Sequence, residues 1–212
     1  MEADYGSDLW LRVENLINSD FSREIEKKER EFRRFKNESA ENIFFELCFC
    51  ILTANTSAVL GVKMQESLGL EPFIKYERED LRNSLKNAKY RFYNTRSEYI
   101  VSNRWIIDEL PVLLNHPDSW SAREFLVEHC KGIGYKEASH FLRNCGVFDF
   151  AILDIHNVRL LDPAMAKSGK PLTRRKYYEY EKIIRKKAEE YGIEPGILDL
   201  YMWKIASGQL IK

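Results

Sequence analysis

The sequence predicts an all-α fold of two packed helical lobes, and three observations carry that expectation. Apolar residues recur at helical spacing along most of the 212-residue chain, while the two-residue alternation of a half-buried strand is nearly absent. The prolines and most of the glycines fall between the periodic segments or at their edges rather than inside them, where they would interrupt a helix. Hydrophobic residues make up 44% of the chain, enough to bury one substantial core or two small lobes at this length.

In chain order, Leu9, Leu11, Val13, Leu16 and Ile17 form an apolar stripe behind the cap candidate Ser7, and residues 20–36 follow as a highly charged helix. Ser39 precedes a third stripe, Ile43, Phe44, Leu47, Cys48 and Ile51. Further helices are expected over 56–68, 78–87, 91–109, 120–129, 135–145, 155–161, 172–191 and 195–208. Breakers separate them: Gly69 with Pro72, Pro111, Pro117, Pro163 with Gly169 to Pro171, and Gly192 with Pro195. No repeat, Gly/Ser linker or low-complexity tract divides the chain, so residues 1–212 read as a single unit of two intimately packed lobes.

Charge and cysteine content exclude several classes. Lys and Arg number 33 and Asp and Glu 33, a balance unlike that of a simple phosphate binder. Basic residues do cluster at Lys27-Lys28, Arg33-Arg34, Arg174-Arg175-Lys176 and Lys186-Lys187, which solvated helix faces explain equally well. No run approaches the roughly 20 apolar residues of a membrane span, and Met1-Glu2-Ala3-Asp4-Tyr5 lacks a basic-then-apolar leader; an intracellular, cytoplasmic protein away from the membrane is expected. Cys48, Cys50, Cys130 and Cys145 form no CxxC pair, so buried thiols are expected rather than a disulfide or zinc site, and no metal or cofactor is indicated.

The chemistry concentrates between residues 120 and 154. The stretch from Phe125 to Asn144, with Lys131-Gly132-Ile133-Gly134-Tyr135-Lys136 at its centre, reads as helix, tight Gly-x-Gly turn, helix. Gly132 and Gly134 let backbone approach a ligand, and the helix that follows begins with unpaired N–H groups, together a site suited to a phosphate. Such a contact reads DNA backbone rather than base sequence. Lys136 falls in the first turn of that helix, where the positive end of the macrodipole disfavours an ammonium and favours the nucleophilic amine. Eighteen residues on, Asp154 follows an apolar segment and opens another helix. There it is an N-cap candidate, and equally a carboxylate able to stabilise an oxocarbenium-like sugar.

The array from Gly132 through Lys136 to Asp154 resembles the helix-hairpin-helix DNA glycosylase superfamily, whose signature ends in a Gly/Pro-rich loop and a catalytic aspartate. The corresponding loop here, Gly146-Val147-Phe148-Asp149-Phe150-Ala151, has the glycine and lacks the proline. Within that superfamily the chain is similar to the compact archaeal-type 8-oxoguanine DNA glycosylase/AP lyases. That likeness rests on the run Gly132 to Asn144, on Ile51-Leu52-Thr53-Ala54-Asn55-Thr56-Ser57, on a terminal lysine, and on the absence of any cysteine after Cys145. It implies a monomeric, bifunctional base-excision repair enzyme. Double-stranded DNA containing 8-oxoguanine would be its substrate, Lys136 would attack C1′ and form a Schiff base, Asp154 would assist, and β-elimination would cut the strand.

The same resemblance implies that Phe92 and Trp203 sandwich the extruded base, that the C-terminal Lys212 recognises guanine, and that Asn55 fills the space the base leaves. Each has a plainer reading, as a core aromatic, a chain end or a helix cap. His129, His140 and His156 lie near helix ends, where hydrogen-bonded structural histidines are commonplace. A non-catalytic hairpin module, a glycosylase for oxidised pyrimidines and a helical scaffold are the alternatives. The first needs neither Lys136 nor Asp154, the second conflicts with the missing cysteine cluster and Lys212, and the third leaves the hairpin without a role.

Overall fold

The computed structural model describes residues 7–208 and Leu210. Among them there are fourteen α-helices and no β-strand, in agreement with the all-α expectation. In chain order these are α1 (Ser7–Ile17), α2 (Phe21–Phe35), α3 (Ala40–Thr53), α4 (Ala58–Leu68), α5 (Glu71–Lys75), α6 (Arg78–Asn87), α7 (Tyr93–Ser102), α8 (Leu110–Leu114), α9 (Ser119–His129), α10 (Tyr135–Asn144), α11 (Ile155–Leu161), α12 (Pro163–Lys167), α13 (Arg174–Tyr191) and α14 (Pro195–Ser207). None of the described helices is long and apolar enough to cross a membrane.

Three short helices, α5, α8 and α12, lie where the sequence reading placed breakers. Pro72, Pro111 and Pro163 each occupy the first turn, where proline forfeits no helical hydrogen bond and its fixed φ suits the start. The helix expected over 91–109 is two elements: α7 ends at Ser102, and a 3-10 helix covers Arg104–Glu109. Asn103 between them is fully buried, and its side chain bonds backbone elsewhere rather than continuing the helix.

The described residues divide into two compact units, one running to Phe32 and again from Val147 to Leu210, the other Arg33–Gly146. Each unit forms around an apolar helix. In the first, α1, α11 and α13 pack on α14, in which every residue from Gly196 to Met202 is buried. In the second, α4, α5, α7, α8 and α10 pack on α3, buried from Glu46 through Thr53. A helix apolar on every side belongs inside, and each large side chain buried this way contributes roughly 1.5–3 kcal/mol. Ser39 caps α3 by accepting the Asn42 N–H at 3.2 Å. The buried Glu46 on α3 is matched by Asn144 Nδ2 on α10 at 2.6 Å, which fixes the helix bearing Lys136 against the core helix. Arg104 donates to the carbonyls of Pro72, Phe73 and Tyr76, satisfying the end of α5.

Candidate active site

The second unit carries the hairpin. Helices α9 and α10 pack together, joined by Cys130 to Gly134. Gly132 has φ +78° and sits so close to the Tyr99 ring that a Cβ would overlap it, so both conformation and contact demand glycine. Asn103 braces the turn at two points: its Nδ2 donates to Lys131 O and its Oδ1 accepts the Lys131 N–H, both at 2.9 Å. Glu137 accepts the Gly134 N–H at 3.3 Å, the return half of a capping box whose other half needs a side chain that glycine lacks. The Gly134 amide is thereby occupied within the protein. The Gly132 amide donates to nothing among the described residues.

Lys136 is the second residue of α10. Its side chain is 24% exposed, and Nζ lies 3.8 Å from Glu137 Oε1. Tyr135 beside it donates its hydroxyl to Glu124 on α9 at 2.8 Å, and the Arg123 guanidinium lies 5.5 Å from the Tyr135 ring centre. The nearby thiol is no rival nucleophile: burial pushes Cys130 up to about 12, and burial likewise raises Cys48 well above its ordinary value, leaving both protonated.

Two further turns of this unit carry predicted residues. Asn55 is exposed and left-handed, φ +60°, just past the end of α3. It caps no helix through its side chain; Ser57 takes the cap of α4 by accepting the Leu60 N–H. The turn is held from beneath by Tyr90, whose hydroxyl donates to Leu52 O at 2.6 Å, and by Arg96, which donates to Ala54 O at 3.0 Å. Phe92 stands half-buried at the start of α7, with the guanidinium carbons of Arg91 and Arg96 at 4.8 and 5.6 Å from its ring centre.

The first unit carries Asp154. It caps α11, with Oδ1 accepting the N–H groups of His156 at 2.9 Å and Asn157 at 2.8 Å; Oδ2 bonds nothing among the described residues. The preceding loop is pinned on both sides. Asp199 of α14 accepts from Ile152 N and Asn157 Nδ2, Asn157 Nδ2 also donates to Ile152 O, and the Tyr177 hydroxyl donates to Ala151 O. The Trp203 and His156 rings meet edge to face at 5.4 Å, so this unit gathers Asp154, His156 and Trp203. His129 is engaged by its own helix through Phe125 O. Lys212 lies outside the described residues, and these include no group of three or more metal-ligating side chains.

Sequence reasoning missed the residues that support this machinery. Asn103, Tyr99, Arg96 and Asp199 carry no local motif, since each acts on backbone or rings remote in sequence. A polar residue on an apolar helical face, as Asp199 is between Leu198 and Leu200, was the one available signal.

Known proteins are similar to this chain in sequence and fold. The family model described as 8-oxoguanine DNA glycosylase matches residues 25–193. An 8-oxoguanine DNA glycosylase/AP lyase of Thermoplasma acidophilum is 52% identical over 89% of this chain and 91% of its own; that of Picrophilus torridus is 44% identical over the full length of both. The crystal structure of the Methanocaldococcus jannaschii 8-oxoguanine glycosylase/lyase, in complex with 15mer DNA containing 8-oxoguanine, superposes with a TM-score of 0.89 at 44% identity, covering 96% of this chain and 99% of that one. With a family match spanning most of the sequence and relatives of this identity along its length, the chain belongs to the 8-oxoguanine DNA glycosylase family of helix-hairpin-helix proteins.

Proposed function

We propose that the protein excises 8-oxoguanine from double-stranded DNA and cuts the strand at the resulting abasic site, with Lys136 as nucleophile and Asp154 as its supporting carboxylate. The observation that carries this reading is Lys136 in the first turn of α10, directly behind the Gly-x-Gly hairpin, in a chain of this family. A relative without the lysine would excise without cutting.

The chemistry needs only the protein's own groups. Nζ of Lys136 bonds to C1′ as the bond to the base breaks, the electron pair leaving with the base. Positive charge develops on the sugar, and the carboxylate of Asp154, with Oδ2 free of its capping duty, offsets it. Proton loss from Nζ and opening of the sugar give an imine. Abstraction of a C2′ proton then expels the 3′ phosphate. The imine is the electron sink, so the scheme calls for no metal or organic cofactor. Phe92 and Trp203 offer ring faces to the extruded base, Lys212 contacts it, Asn55 fills its place in the stack, and the hairpin of Gly132 and Gly134 takes a backbone phosphate, the Gly132 N–H being free to donate while the Gly134 N–H must first leave Glu137. The enzyme acts as a monomer on DNA inside the cell, at the nucleoid.

Borohydride reduction of the imine tests the assignment. The expected result is a covalent protein–DNA adduct on a duplex carrying one 8-oxoguanine, absent with undamaged duplex and absent with Lys136→Gln. An adduct that persists in Lys136→Gln would move the nucleophile elsewhere. DNA binding without any adduct would overturn the lyase assignment.

A further inference from the structure

We infer that Arg96 is a positioning residue that holds three DNA-facing elements of one unit in a single arrangement: the Asn55 turn, the Phe92 ring and, through Tyr99, the Gly132 hairpin. This rests on the roles proposed above for those residues. Its side chain is enclosed, the residue being 8% exposed. One nitrogen donates to Ala54 O at 3.0 Å, the carbonyl immediately before the left-handed Asn55. The guanidinium carbon lies 5.6 Å from the Phe92 ring centre and 5.5 Å from that of Tyr99, and the Tyr99 ring is the surface on which Gly132 rests.

Stability alone does not account for an arginine here. Arg96 makes no ion pair among the described residues, and its Nε has no hydrogen-bond partner. A buried charge left without a carboxylate costs stability that an apolar residue of similar volume would not. What a guanidinium supplies is a rigid plane with donors on its rim and two faces, so one side chain can fix a carbonyl and set ring positions together. Lysine has the charge without the plane. Tyr90 and Thr56 both bond Leu52 O at 2.6 and 2.7 Å, closing the turn through an acceptor that Arg96 does not use, although the Tyr90 hydroxyl also meets Arg96.

Arg96→Met and Arg96→Lys separate positioning from packing. Single-turnover excision of 8-oxoguanine is compared with cleavage of a preformed abasic site, where no base remains to stack on Phe92, and Arg96→Met is also combined with Asn55→Ala. Expected for Arg96→Met is a loss of excision of about tenfold or more, the coupling seen between contacting residues, with a clearly smaller loss of abasic-site cleavage. In the Asn55→Ala background the same change should cost less than it does alone, the part transmitted through the Phe92 ring remaining. Arg96→Lys should show the same imbalance, and it carries the comparison should Arg96→Met not fold. Equal losses in both reactions, full additivity with Asn55→Ala, or an unimpaired Arg96→Lys would each overturn the inference. An unaltered chain without lesion-dependent excision would instead overturn the underlying reading, and the inference with it.

Discussion

Asp154 divides two duties between its two oxygens, and the division makes them separable. Oδ1 caps α11 through two N–H groups, while Oδ2 is available to a ligand. Asparagine caps a helix as well as aspartate does, so Asp154→Asn should leave stability within about 0.5 kcal/mol of the unaltered chain. Its excision rate should nonetheless fall by about 10²–10³, the scale of removing one electrostatic stabiliser of a transition state. Asp154→Ala should add a stability loss of about 1 kcal/mol for the cap. Denaturant unfolding beside single-turnover excision reads both; equal stability and equal activity in Asp154→Asn would show that the carboxylate does no more than cap. At this scale the places of Lys136 and Asp154 at helix starts were legible, because helix starts have local signatures. Asp199 and Arg96 were not, because each serves residues more than forty positions away: Asp199 bonds Ile152 and Asn157, and Arg96 bonds Ala54.

Among elements, the hairpin is where sequence and structure agree most closely, since Gly-x-Gly between two helical periods leaves few conformations. The structure adds what braces it. Tyr99 presses on Gly132 and Asn103 grips Lys131 on both backbone groups. Gly132→Ala therefore meets two obstacles, a left-handed φ and an occupied space, and should cost about 2 kcal/mol of stability. With the turn on the DNA backbone, as proposed above, its affinity loss should be alike for undamaged and 8-oxoguanine duplexes. A loss confined to the damaged duplex in titrations of both would place the hairpin at the lesion instead. The errors at this scale also have physical causes. Pro72, Pro111 and Pro163 open helices instead of ending them, since proline is a stop only where an N–H is needed. Asn103 ends α7 because its side chain is committed to the hairpin, a partner that helical periodicity does not register.

For the whole molecule, the all-α class followed from periodicity, but the discontinuous first unit did not: the segments before Phe32 and after Val147 join through α1 on α14, a pairing no local pattern encodes. Net charge poses the sharper question, since a chain with 33 residues of each sign must still hold a polyanion. At least four of the nine residues in the basic clusters noticed in the sequence are paired on their own helices: Arg175 and Lys176 with Glu179 at 3.0 and 3.3 Å, Lys187 with Glu190 at 2.6 Å, and Lys28 with Glu31 at 2.7 Å. Exposed pairs of this kind are worth at most about 1 kcal/mol each, yet they lower the positive field those helices present. The proposed hairpin contacts, made through uncharged N–H groups, would displace few counterions. The salt dependence of DNA affinity should therefore be modest, a slope of log K against log salt of about −3 to −4, from cations on three to five phosphates. Between about 50 and 200 mM salt that is a loss of about a hundredfold. A slope near zero in fluorescence anisotropy titrations would remove the phosphate backbone from recognition. One near −10 would mean that the paired clusters exchange their glutamates for DNA, which would move the binding surface onto α2 and α13.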